Sequence, residues 1–247
     1  MQGISVFTIR YGLWLCADGA DGTQLTLKAR QRSMGALLFT RTEIMVKIET
    51  VEALREIYRP AAGRAVEKEL SALDPHCKRF IELSPFLLLA THNADGVVDI
   101  TPRGDGPGFV AVPDSNTVMI PDRPGNNRLD SLTNILSNPT CSVIFLIPGV
   151  DETLRIRGTA EIRDDADLLA GFEVKKRLPA TVLTIKVDLA FLHCAKALMR
   201  SRLWDPEAQI ERSTLPTLGK MIMDQLGMKD DGESQEEMVE RYKEVLY

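Results

Sequence analysis

PFLLLATHNADG, residues Pro85 to Gly96, joins a short apolar run to a turn-forming tetrad. The run is too short for a core helix, and Asn93-Ala-Asp-Gly96 is a strong hairpin signal, so the spacing predicts a buried strand entering a hairpin. Val97 to Thr101 answers it as a second strand. Phe109 to Val112 continues after a Gly/Pro interruption, and Pro113-Asp-Ser-Asn116 turns the chain into Thr117 to Ile120. Four short strand segments in close succession read as a meander.

Working outward, Asp122-Arg-Pro-Gly-Asn126 breaks the pattern, and Asn127 to Asn138 restores helical spacing through Leu129, Leu132, Ile135 and Leu136. Strands are expected over Cys141 to Ile147, Thr153 to Ile162 and Thr181 to Val187, with a charged helix over Asp164 to Lys176. In the longest strand Leu154, Ile156 and Gly158 face away from Arg155 and Arg157. Helical stretches are expected from Thr50 to Pro60, Ala65 to Leu73 and Pro75 to Leu83, and again near Pro216 to Gly227 and Ser234 to Tyr247. The result is an α+β chain, mainly β. Six to seven mostly antiparallel strands, with one helix between the third and fourth, predict a closed or partly closed barrel rather than βαβ units.

The 247 residues, 44% hydrophobic, suffice for one main domain. A net charge of -5 argues against a nucleic-acid binder, whose affinity comes from neutralising phosphates. No apolar run reaches membrane-spanning length, so no membrane partner is expected. Cys16, Cys77, Cys141 and Cys194 are scattered, which fits a reducing, cytoplasmic setting and no disulfide framework. His76-Cys77 and His193-Cys194 lack metal-ligand spacing, and no metal site is expected. Residues 1–44 differ in composition from the rest, with Arg10, Lys28, Arg30, Arg32 and Arg41 against Asp18, Asp21 and Glu43. They read as a poorly ordered leader, outside a folded part that begins near Met45. The expected domain is 45–247, with a helical lead-in over 50–84 and C-terminal helices over 205–247.

Chemistry concentrates elsewhere. ITPRGDGPGFV, Ile100 to Val110, sets Arg103 among turn-formers. Its G-x-G-x-G spacing is not a dinucleotide fingerprint, because strand rather than helix follows. Arg103 after the second strand, Arg123 after the fourth segment, and Asn126, Asn127 and Arg128 at a helix start converge. Guanidinium forks and a helix N-terminus both suit phosphate oxygens, so the group reads as a monoester-phosphate site, with Ser131 adding a hydroxyl. Gly104 and its neighbouring glycines let the backbone approach a ligand closely. The plainer alternative is a set of solvated arginines around turns. No nucleophile or acid/base constellation stands out, so catalytic side chains are unassigned and an enzyme here needs a cofactor.

The strand with TPRGD, the segment IPDRPGNNRLDSL and the later RSRLWDP together resemble the pyridoxamine 5'-phosphate oxidase-like superfamily, over roughly residues 50–247. More narrowly they are similar to a subgroup of FMN-dependent flavoproteins without a settled substrate. That resemblance implies a split β-barrel homodimer with FMN at the subunit interface. It puts Arg103, Asn127, Arg128 and Ser131 near the FMN phosphate, and Pro121, Asp122 and Arg123 along the ribityl chain or ring edge. Trp204, with Arg200 or Arg202, would approach the flavin from the partner subunit. The oxidase's Arg-Leu-His segment is replaced here by Arg202-Leu203-Trp204, so a substrate other than pyridoxamine phosphate is expected. The implied function is an FMN-dependent oxidoreductase acting on a small organic substrate, with NAD(P)H or oxygen as electron partner. A deazaflavin-dependent reductase and a non-catalytic flavin-binding module are the alternatives.

Overall fold

The computed structural model describes residues 8–9, 13–16, 26–28, 47–61, 63–230 and 232–246. The chain divides into two units, Met1–Ala61 and Ala62–Tyr247. In the first, β1 (Thr8–Ile9), β2 (Leu13–Cys16) and β3 (Thr26–Lys28) pair antiparallel in that order. Apart from these strands, the leader expected over 1–44 lies outside the described residues. Helix α1 (Val51–Ile57) starts where the Thr50 hydroxyl accepts from the Ala53 amide at 3.2 Å.

The second unit opens with α2 (Arg64–Glu67) and α3 (Pro75–Leu83). Asp74 caps α3, its carboxylate accepting from the Cys77 amide at 2.7 Å, and Pro75 occupies the first turn, where its missing N–H costs nothing. Six strands follow: β4 (Phe86–His92), β5 (Val98–Gly104), β6 (Thr117–Pro121), β7 (Thr140–Ile147), β8 (Val150–Arg163) and β9 (Val182–His193). They form one antiparallel sheet in the order β5-β4-β7-β8-β9-β6, a split barrel. Helix α4 (Asp130–Ser137) connects β6 to β7 and packs on β4, where Asn134 Nδ2 donates to the Thr91 hydroxyl at 3.1 Å. Helices α5 (Ala166–Ala170), α6 (Lys196–Ser201), α7 (Leu218–Gln225) and α8 (Gln235–Leu246) complete it.

Alternation fills the core. Leu87 and Leu89 of β4, Val118 and Ile120 of β6, Phe145 of β7, Leu154 of β8 and Ile185 of β9 are fully buried, and α3 adds Cys77 and Ile81. The hairpin turn forms as expected: Asn93 Oδ1 accepts from the amides of Asp95 and Val97, and Gly96 takes φ 80°.

Several expected elements differ. Phe109 to Val112 is not a strand: it makes one bridge, Ala111 to Met119, because the turn at Gly108 (φ 83°) and Pro113 leave no room for a longer ladder. Its Phe109 and Val110 are buried all the same. The helix expected over Ala65 to Leu73 ends at Glu67, and Leu70 instead exchanges both backbone hydrogen bonds with Ala190. The charged helix after Asp164 shrinks to α5, since Lys175 and Lys176 turn left-handed at φ 47° and 64°. β8 and β9 are longer than expected, and their long pairing absorbs a register shift at Arg157/Gly158.

Gly158 is required at that shift: a Cβ there would lie 2.1 Å from the Lys186 carbonyl oxygen, which is ladder backbone and cannot move alone. Gly158→Ala is expected to lower unfolding free energy in a denaturant titration by about 3 kcal/mol. The Asp74 carboxyl is held below its usual range, chiefly by the Cys77 amide. A depressed folded-state value stabilises above the unfolded one and is lost as pH falls, so the roughly 1 kcal/mol cost of Asp74→Ala at pH 7 should shrink below about pH 4.

Candidate functional site

β5 and β6 are the two edges of the sheet and share no ladder. The chain after each supplies one arginine and one aspartate across the gap, and the pairs cross. Arg103 of β5 bonds to Asp122 after β6, and Arg123 Nε bonds to Asp105 Oδ2, after β5, at 2.8 Å. All four side chains are less than one-fifth exposed. Asp105 thus holds Arg123, which also donates from Nη1 to the Phe172 carbonyl at 2.8 Å. Arg103 Nη2 reaches toward the Ser131 hydroxyl at 3.4 Å, while its Nε is buried without a hydrogen-bond partner among the described residues.

A cleft of about 640 Å³ opens over this seam. Arg103, Gly104, Pro121, Asp122, Arg123, Asn127, Arg128 and Ser131 all line it, as the sequence led us to expect. Asp99, Phe109, Leu178 and Ala180 also contribute, and sequence reasoning missed them. Nothing in Leu178 or Ala180 signals chemistry; they arrive because the segment before β9 pairs with Asp122 through Thr181 and Ala180. The Phe172 carbonyl was equally invisible, since any residue carries one.

Asn127 and Arg128 are not in a helix start, as expected, but in the loop before it. Asn127 (φ 58°) and Leu129 (φ 60°) are both left-handed, so Arg128 is bracketed by two strained non-glycine residues. Leu129 occupies the cap position of α4 and offers no side-chain hydrogen bond, which leaves the first amides of that helix to other acceptors. Ser131 is buried in its first turn. Arg128 is 73% exposed, its Nε on Asp130 at 2.8 Å, and that carboxylate raises the guanidinium's proton affinity. Gly104 lies against the Pro85 carbonyl, where a Cβ would meet oxygen at 3.2 Å. Trp204 does not line the cleft of its own chain: its Nε1 donates to the Val150 carbonyl at 2.9 Å, which ties the segment after α6 to the start of β8.

The site therefore combines a rigid charged floor, an exposed guanidinium and an uncapped helix terminus. Such a set suits a ligand with one anionic end and a flat apolar remainder, and it holds no nucleophile with an adjacent base.

Residues 73–194 match the family model described as pyridoxamine 5'-phosphate oxidase. Similar solved structures include HupZ of Group A Streptococcus (20% identity, 49% of this chain and 93% of that one, TM-score 0.40). General Stress Protein 26 of Bacillus anthracis is 16% identical over 47% of this chain and 93% of that one, with TM-score 0.36. An FMN-binding protein of Syntrophomonas wolfei is 10% identical over 47% and 87%, with TM-score 0.37. A comparison with curated proteins found no match.

Removing either member of the Arg123–Asp105 pair strands its partner in a half-dry site. Arg123→Ala and Asp105→Ala are each expected to cost about 3 kcal/mol in chemical denaturation, and the double variant less than the sum.

Proposed function

We propose, from the match of residues 73–194 to the pyridoxamine 5'-phosphate oxidase family model, that the cleft binds FMN and that the protein is an FMN-dependent oxidoreductase. The observation that carries this reading is the corner where Arg103, its Nε without a partner among the described residues, meets the uncapped terminus of α4 and its buried Ser131. The volume is of the order that small-ligand sites occupy, several hundred Å³.

The residues divide the work. Arg128, Ser131 and the first amides of α4 hold the phosphate, and Arg103 supports it from below, oriented by Asp122. Arg123 is already spent on Asp105 and Phe172, so its part is to fix the loop rather than to donate its charge. Backbone atoms of Pro121 and Asp122, with Ile100, Leu129 and Leu178 around them, form a wall for the ribityl chain and ring. Bound there, FMN supplies electron transfer between a small organic substrate and NAD(P)H or oxygen. Arg202 engages Asp205 and Glu207 at 2.6 and 3.1 Å, which removes it as a free cation for a second phosphate and supports a substrate other than pyridoxamine phosphate.

A second copy belongs to the same reading. Ile100 and Leu129, which line the cleft, expose apolar surface at 61% and 52%, and Val98 of β5 and Leu136 of α4 do so at 66% and 79%. A homodimer would cover them and bring the partner's Trp204 segment to the flavin. Light scattering at micromolar protein should return twice 27.4 kDa.

The binding test is a fluorescence titration with FMN and with riboflavin, which lacks the phosphate. Arg103→Ala and Arg128→Ala should each weaken FMN about tenfold or more, and Arg128→Ala should leave riboflavin unchanged. Undiminished FMN affinity in both variants would reject the site.

A further inference from the structure

The cleft neutralises its arginines; a second cationic group does not. On the face of the β8/β9 ladder, Arg155 lies directly opposite Phe191, and Thr153 opposite His193. The Arg155 guanidinium sits 5.2 Å from the Phe191 ring centroid, and Lys68, from the segment after α2, places its ammonium 5.0 Å from the same centroid. Lys68 is held there by donation to the Leu192 carbonyl at 2.8 Å. The His193 ring stands 6.2 Å from that of Phe191, and its Nδ1 is buried without a hydrogen-bond partner among the described residues.

Among the described residues neither Lys68 nor Arg155 makes an ion pair, although the chain carries a net charge of -5. Glu67 and Glu69 flank Lys68 in sequence, yet neither pairs with it. Two cations gathered on one aromatic ring repel each other, and the ring's quadrupole offsets only part of that. Burial, and after it the charges of Lys68 and Arg155, hold the His193 imidazole's proton affinity below its usual value. A buried imidazole nitrogen without a partner among the described residues is the kind of group that native folds satisfy.

We propose that Lys68, Arg155 and His193 form a binding site for a small oxyanion, a carboxylate or phosphate group, with Phe191 as its apolar wall. The site is separate from the cleft at the β5/β6 seam and shares no residue with it. Its anion would accept from the guanidinium, the ammonium and the imidazole together, a set of charge-assisted hydrogen bonds.

The chain's three histidines, His76, His92 and His193, make the imidazole a local reporter. Ring nitrogen resonances of the full-length protein would be followed at constant pH while inorganic phosphate, and separately malonate, is added. The His193 signal should shift saturably; response to phosphate alone assigns a phosphate ligand, and response to malonate alone a carboxylate. Arg155→Gln and Lys68→Gln should each weaken that response about tenfold, whereas Arg103→Ala, in the other site, should leave it intact. A His193 signal that stays still with both anions, or that moves equally well in Arg155→Gln, would overturn the proposal.

Discussion

The fold turns on two ion pairs that cross where a β-ladder cannot form. A six-stranded sheet curls until β5 and β6 face each other, but β6 ends at Pro121, which has no N–H to donate, and β5 runs out into the Gly104–Gly108 loop. Arg103–Asp122 and Arg123–Asp105 span the opening instead. Side chains reach farther than a ladder does, so the barrel stays split, and the space they hold open is the cleft.

Pairs this dry contribute little net stability, because desolvation consumes most of the attraction. What they provide is position. Each guanidinium is fixed by a carboxylate before any ligand arrives, so the ordering cost of the proposed phosphate corner is met during folding rather than on binding. The same neutralisation keeps the cleft from being strongly basic. In the proposed site, affinity for an anion then comes from Arg128, the α4 amides and the remaining face of Arg103, a set suited to one phosphoryl group rather than an extended polyanion. The β8/β9 face shows the opposite design, with Lys68 and Arg155 against Phe191 and neither in an ion pair among the described residues.

Much of this was legible in the residues. Asn93-Ala-Asp-Gly96 announced its hairpin through chemistry local to four residues, and alternation along β8 gave its buried face. The cleft's arginines were found because turn-formers around a charge are unusual between apolar strands. What failed was long-range. Phe109 and Val110 have strand chemistry but are buried without a ladder, because partner availability rather than propensity decides pairing. Which arginine Asp105 faces is shown only by the fold, where it holds Arg123. The α4 start was placed too early, since the left-handed turns at Asn127 and Leu129 are imposed by the loop and carry no glycine to mark them.

The most direct measurement is the visible absorption spectrum of the purified protein after saturation with FMN and removal of free ligand. One FMN per chain, with the two bands of an oxidised flavin perturbed from those in water, is the predicted result. A chain that comes through colourless would contradict the assignment of the cleft.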